Sequence, residues 1–525
     1  MASTVSGRAE GAWPAPCMRL FRTPRDPQSD KEDDMNPAAF DVVDGVPHYK
    51  LFIDGAWTNS SRNMLHDDIN PATGQVFART QLAGAAEVDR AIAAADTAQK
   101  AWAAAMVAER EAILLKTADV IVRRTPEIRD LLIEECGSVF SKALWEIDYV
   151  VDALRVAAGD ARHVMGETMP MTMPGQISMS VRKPLGVIAG IAPFNSPFLL
   201  SMKKIAYALA VGNAFILKPS EETPLSGAII ADLFDEAGLP KGLLNVIPGV
   251  PSEVGDQLIA DPRVKMITFT GSTRTGRHLA VEAAKHLKKF TLEMGGKSPL
   301  IVLADADLDY AVDAAAFGVY LHQGQVCMAS SKVIVEAPLF DAFAEKFKAK
   351  TAGIKVGDPK DPETVIGPLI RARQCGFIEG QIEDATSKGA KVVAGGTYEG
   401  HFFQPTVLTG VTPEMRIYHE ESFGPVVSLI KVEDAEEALK VANDTEYGLS
   451  AALITNDMQK ALDLSLRLES GMVHVNDTTI SDEPHVPFGG VKNSGFGREG
   501  GRYSLEELTE VKWVTLQMGK RQFPF

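Results

Sequence analysis

From Pro184 to about Lys297 the chain alternates short runs rich in valine and isoleucine with longer alanine-rich segments, and a second alternation begins at Leu300-Ile301-Val302 and continues past Val473-His474-Val475-Asn476. Short β-branched runs bounded by glycine and proline read as strands buried on both faces, and the intervening helices supply the crossovers that parallel strands require. The pattern predicts an α/β fold: two doubly wound, Rossmann-like parallel-sheet domains that meet at a cleft. Residues 46–165 and 185–297 would form the first domain and 298–500 the second, within a chain of 525 residues that is long enough for a large core.

Other segments depart from this pattern. Residues 1–45 are rich in Pro, Asp, Arg and Ser without periodic hydrophobics, and are expected to be a disordered extension in which Met35 is a second candidate start. Leu51-Phe52-Ile53, the Asp54-Gly55 turn and Trp57 predict a strand pair, and alanine-rich helices follow Asn70-Pro71-Ala72-Thr73-Gly74 up to about Val164. Met165 to Pro184, with alternating polar positions in Gln176-Ile177-Ser178-Met179-Ser180, predicts a hairpin.

Composition removes several classes of function. No apolar run approaches the ~20 residues needed to cross a bilayer, and a net charge of −16 disfavours non-specific nucleic-acid binding. The four cysteines, Cys17, Cys136, Cys327 and Cys375, form no CxxC pair, so neither a disulfide framework nor a metal site is indicated. A reducing, cytoplasmic setting is expected.

The chemistry concentrates in five places. Cys327, in His322-Gln323-Gly324-Gln325-Val326-Cys327, follows Glu293 of Leu292-Glu293-Met294-Gly295-Gly296-Lys297 by thirty-four positions. A thiol and a carboxylate are thereby offered as nucleophile and base. Either alone reads equally as a small buried hydrophobe or a turn residue. Asn195 sits between Pro193 and Pro197, which restrict the backbone on both sides and suit a fixed amide that stabilises an oxyanion, or simply a turn residue. Lys218 ends an apolar strand with Glu221 three residues on. Such an acid can bind both hydroxyls of a ribose and repel an added phosphate, which favours NAD, with NADP the alternative. Finally, Phe269-Thr270-Gly271-Ser272 reads as a strand, a glycine turn and a helix start, where backbone N–H groups meet an anion. Arg277 stands where a Walker lysine would follow.

Taken in order, these segments, with Glu420-Glu421-Ser422-Phe423-Gly424-Pro425 and Pro487-Phe488-Gly489-Gly490, resemble the aldehyde dehydrogenase superfamily from about Tyr49 to the C-terminus. The resemblance implies that Cys327 attacks the aldehyde carbon, Asn195 stabilises the oxyanion, and Glu293 activates the water that hydrolyses the thioester. It further implies a cofactor site of Pro193, Phe194, Lys218, Ser220, Glu221, Gly271, Ser272, Glu421 and Phe423. In such proteins the 166–184 hairpin and the 501–525 segment complete a neighbouring subunit's sheet, giving a homodimer or homotetramer. An alternating edge strand could instead fold back on its own domain.

Relatives that pass the acyl group to coenzyme A generally lack the glutamate, so Glu293 implies release of a free carboxylic acid. Wall residues implied by the resemblance, Leu199, Val326, Met328, Ile480 and Phe488 together with Phe198, are apolar. That suits an aromatic aldehyde of the vanillin, benzaldehyde and salicylaldehyde type. A carboxylated semialdehyde would need a cationic clamp, for which Arg155 and Arg162 are the candidates. A thiol esterase or coenzyme A-acylating relative, and an idle scaffold, are the other readings. Phe194 and Ser196 stand where many relatives carry tryptophan and a second aromatic. His322 reads as a solvated or capping residue.

Overall fold

The computed structural model describes residues 35–525. Its first sheet runs, edge to edge, Gly495–Phe496, Lys289–Glu293, Val264–Thr270, Val187–Ile191, Ala214–Lys218, Leu244–Val246, Leu51–Ile53 and Ala56–Thr58. The middle five strands are parallel. The chain moves outward one way from Val187–Ile191 through the next two strands in sequence, then crosses to its other side at Val264–Thr270. Strand order reverses there, and ligands bind outside the carboxyl ends of parallel strands at such a point.

The second sheet runs Lys391–Ala394, Thr406–Thr409, Val426–Val432, Lys332–Glu336, Pro299–Val302, Ser450–Ile454 and Met472–Val475. All its pairings are parallel except that of the first strand. Side chains alternate between two cores: Val333 and Val335 face one helical layer and Ile334 the other. Helices therefore cover both faces, which is why these strands read as unbroken apolar runs.

Both Asp-Gly turns have positive φ at each central residue, Asp54 at 56° and Gly55 at 68°, Asp44 at 50° and Gly45 at 80°. This is the hairpin geometry whose twist matches its flanking strands. The first closes the expected pair Leu51–Ile53 and Ala56–Thr58. The second joins Phe40–Val43 to Val46–Tyr49, so the stretch expected to be disordered over 1–45 carries a strand at its end; residues 1–34 of it lie outside the described residues. Two further strands, Leu65–Asn70 and Gln75–Gln81, flank the Asn70-Gly74 turn ahead of the alanine-rich helices.

Thr168–Met169, Gln176–Pro184 and Thr509–Gln517 form a three-stranded sheet within the one chain. The C-terminal strand pairs along nine residues with the hairpin of its own chain, from Thr509 opposite Pro184 to Gln517 opposite Gln176. Among the described residues no helix is long and apolar enough to cross a membrane.

Candidate active site

Four site segments leave the carboxyl edge of the first sheet. Ile191 leads to Asn195, Thr270 to Gly271, and the strands Ala214–Lys218 and Lys289–Glu293 end on site residues themselves. The register sets Lys218 beside Ile191 and Glu293 beside Thr270. The second sheet contributes its amino edge: Cys327 precedes Lys332–Glu336 and Glu421 precedes Val426–Val432. Gly295-Gly296 carries the chain from one edge to the other.

That glycine pair is there for space. A Cβ on Gly296 would stand 2.5 Å from the Cys327 carbonyl oxygen, and one on Gly295 would stand 2.4 Å from Glu421 Oε2. The Gly296 N–H donates to Glu421 Oε1 at 3.0 Å. The loop after Glu293 is thus sandwiched between the thiol-bearing turn and the Glu421 carboxylate.

Cys327 is reached through an unusual turn. Helix Leu308–Tyr320 stops, and His322, Gln323 and Gly324 take left-handed conformations in succession, with φ of 50°, 58° and 69°. Such strain in non-glycine residues persists only when the surroundings over-determine it. Gln323 Nε2 donates to the carbonyls of Gly137 and Pro368 at 2.9 and 3.0 Å, and Ile370 N–H donates to Gln325 Oε1 at 3.1 Å. A Cβ on Gly324 would lie 2.2 Å from the Gly424 carbonyl oxygen. Gly324→Ala combines a φ penalty with a backbone clash, and is expected to lower stability by about 2–4 kcal/mol in urea denaturation. His322 is 1% exposed, so it is a packed part of this turn and not the solvated residue expected. Its left-handed backbone buries the ring, and burial pushes its pKa well down.

Glu293 is buried, and neither carboxylate oxygen has a hydrogen-bond partner. Burial, then the charge of Glu499, hold its pKa well above the ordinary carboxylate range, against the opposing pull of Lys204 and Lys203. The Cys327 thiol is likewise pushed up, by burial first and then by Glu421, Glu293 and Asp482. Those three carboxylates therefore lie within electrostatic reach of the sulfur.

Asn195 is held from behind. Lys142 donates to its carbonyl oxygen at 2.9 Å and forms a buried ion pair with Glu146. Glu146 Oε1 in turn accepts the N–H groups of Phe198 and Leu199 at 3.0 and 2.9 Å, at the start of helix Pro197–Ala210. A carboxylate there satisfies orphan donors and meets the positive end of the helix dipole. The Asn195 side-chain amide takes no protein hydrogen bond among the described residues, so it is free to donate.

Farther along the edge, Lys218 is buried, with Nζ 3.1 Å from the Pro219 carbonyl and 3.3 Å from Glu221. The Ser220 hydroxyl accepts from Glu222 N–H at 3.2 Å. Ser272 caps helix Thr273–Lys285, and Gly271 N–H donates to the Glu293 carbonyl at 3.0 Å. Phe194, next to Pro193, meets Phe423 edge-on at 5.7 Å, and the Arg371 guanidinium lies 4.5 Å from the Phe194 centroid. Phe423 has a φ of 48°. Burial pushes the Glu421 carboxyl up to about 7, while Lys297, buried without a partner, is pushed down to about 7.

Met328, Ile480 and Phe488 join Leu449 and Met472 in a small apolar cluster against which Val326 and Cys327 pack. Leu199 belongs to the core of the first domain instead, as does Phe198. Arg155 and Arg162 are 48% and 59% exposed, paired with Asp152 and Glu111.

A family model described as the aldehyde dehydrogenase family matches residues 57–514. The chain belongs to the aldehyde dehydrogenase family. It is therefore an oxidoreductase acting on aldehydes. Within the family it is 45% identical to vanillin dehydrogenase of Pseudomonas fluorescens, over 87% of this chain and 95% of that protein. It is 42% identical to benzaldehyde dehydrogenase [NAD(+)] of Pseudomonas putida, over 87% and 94%. A crystal structure of a salicylaldehyde dehydrogenase from Pseudomonas putida G7, complexed with salicylaldehyde, superposes with a TM-score of 0.89 at 39% identity, covering 91% of this chain and all of that one. The motifs at Asn195, Lys218, Gly271 and Glu293 follow or end strands of the first sheet, and those at Cys327 and Glu421 precede strands of the second.

Sequence reasoning did not find Lys142 and Glu146, nor the pairs Lys203–Asp482 and Lys204–Glu499. The last two join residues 279 and 295 positions apart, and a lysine on an apolar helix carries no sign of such a partner.

Proposed function

We propose that the protein oxidises an uncharged aromatic aldehyde to its carboxylic acid with NAD. One observation carries the reading: the thiol of Cys327 lies against an apolar cluster, while an unpartnered, buried carboxyl group, Glu293, stands within electrostatic reach. In this scheme Cys327 gives up its thiol proton to water and attacks the carbonyl carbon as the thiolate, and the Asn195 amide with the Cys327 N–H holds the oxyanion. A bound NAD would supply the hydride acceptor for the oxidation at the carbon that Cys327 holds. Glu293 then takes a proton from water as that water attacks the thioester, and Cys327 is released with the acid. A preorganised oxyanion donor contributes about 10²–10³ in rate and a general base about 10²–10⁴.

The residues present fit the dinucleotide. Lys218 has a buried Nζ whose contacts, at 3.1 and 3.3 Å, are long, and Glu221 beside it offers a ribose-binding carboxylate. Ser220 adds a hydroxyl. The Gly271-Ser272 turn presents a helix N-terminus to a phosphate. Glu421 suits the second ribose, with Phe423, Pro193 and Phe194 around the ring. The benzaldehyde dehydrogenase relative carries NAD(+) in its name.

Three named relatives act on benzaldehyde, vanillin and salicylaldehyde, and the apolar cluster beside Cys327 agrees with neutral aromatic substrates. We also propose a homo-oligomer built on the three-stranded sheet, whose outer strand exposes Val511, Trp513 and Leu516 at 53%, 63% and 45%. NADH formation with aromatic, aliphatic and carboxylated aldehydes is expected to be fastest with the aromatic group, and with NAD over NADP. Preference for a carboxylated aldehyde would overturn the substrate assignment.

A further inference from the structure

Beside the apolar cluster lies a buried ion pair that the steps above leave without a task. Lys203, on helix Pro197–Ala210, places Nζ 3.1 Å from Asp482 Oδ1 and 2.9 Å from Oδ2. Tyr149, on helix Phe140–Asp160, donates its hydroxyl to Oδ2 at 2.7 Å. The lysine and aspartate side chains are only 1% and 8% exposed. Withdrawing two charges from water costs several kcal/mol per ion, and apolar side chains of similar volume usually stabilise a core as well or better. Packing alone gives no reason for this pair.

Its position supplies one. Lys203 Nζ stands 4.5 Å from the centroid of Phe488, and Phe488 packs with Met328 and Ile480 in the cluster that touches Cys327. Asp482 also acts electrostatically on the Cys327 thiol. The carboxylate, through its lysine partner, thus lies beside the apolar cluster that packs against the nucleophile. Oδ2 accepts from both Tyr149 and Lys203, whereas Oδ1 accepts from Lys203 alone. An ionised carboxylate oxygen takes two donors readily, so Oδ1 keeps room for one more.

We propose that Asp482, held by Lys203 and Tyr149, is a subsite for a hydroxyl group on the aldehyde's aromatic ring, with Oδ1 accepting the phenolic hydrogen. The proposal rests on the aromatic-aldehyde reading and sharpens it to hydroxylated rings. Lys203 and Tyr149 fix the carboxylate's orientation and leave one acceptor direction open. A site built to hydrogen-bond a hydroxyl discriminates against analogues that lack it, because its own polar group is then buried unpaired.

The test compares kcat/KM of the intact enzyme with NAD for benzaldehyde, for ortho-, meta- and para-hydroxybenzaldehyde, and for the matching methoxybenzaldehydes, which cannot donate. For the best ring position, the hydroxy compound is expected to exceed its methoxy counterpart by about tenfold or more. Asp482→Asn should bring that ratio near one. Because a lone buried Lys203 could prevent folding, the pair Asp482→Leu with Lys203→Met, which removes both charges, is made alongside and should do the same. Turnover of benzaldehyde with a ratio near one in the parent enzyme overturns the subsite and leaves the aromatic reading standing. A ratio unchanged in either folded variant also overturns it. Fast oxidation of aliphatic aldehydes with none of any benzaldehyde overturns the aromatic reading, and the subsite with it.

Discussion

Cys327→Ala is expected to lower aldehyde oxidation below about a thousandth of the parent rate while NAD binding persists. Both halves follow from where the residue sits. Its side chain lies against the Met328, Ile480 and Phe488 cluster, and the proposed ribose and phosphate contacts come from Lys218, Glu221 and Ser272 on the other sheet. Removing one sulfur leaves those contacts alone. The turn is fixed by Gln323, Gln325 and the Gly324–Gly424 approach and does not depend on the thiol, so the variant should fold. Turnover is read as NADH formation and binding by calorimetry. Oxidation by the variant above that thousandth would remove Cys327 from the role of nucleophile.

Glu293→Gln should separate the reaction into a fast and a blocked half. The first half needs the thiol and the Asn195 amide and yields one equivalent of NADH per active site. The second needs a base for water, and its loss should slow steady turnover about 10²–10⁴-fold, with the acyl-enzyme accumulating. Mass spectrometry of the quenched protein would detect the thioester on Cys327. The pH dependence has a definite sign. Only the ionised carboxylate can take water's proton, and burial with Glu499 nearby raises the pKa of Glu293. In the parent enzyme, thioester hydrolysis should therefore rise with pH through a value well above that of an ordinary glutamate, and the glutamine variant should lose that rise. Steady turnover near the parent rate, without a burst, would contradict the assignment.

The parts of this site legible in the sequence are those in which chemistry and backbone coincide. Lys218 and Glu293 end apolar strands, Gly271 opens a helix, and Asn195 lies between prolines, so local pattern alone sends them to the carboxyl edge of a parallel sheet. The alternation that predicts two such sheets is equally local. What escaped notice depends on partners remote in sequence. Lys142, fifty-three positions before Asn195, holds its carbonyl; Asp482 meets Lys203 across 279 positions. The left-handed turn at His322 and Gln323 was hidden because neither is glycine, and its cause is tertiary. The Asp44-Gly45 hairpin carries the same signal as Asp54-Gly55, but its strands are short and half-exposed, so a charged, proline-rich neighbourhood masked it.

The thiol and the carboxylate grow from opposing sheets, and the two-glycine loop that follows the carboxylate packs against the backbone of the thiol-bearing turn. Their meeting is therefore a property of how the two lobes are seated, not of either lobe alone. A small rotation that parted the lobes would carry Glu293 away from Cys327 while each sheet kept all its hydrogen bonds. Competence would then be lost before structure is.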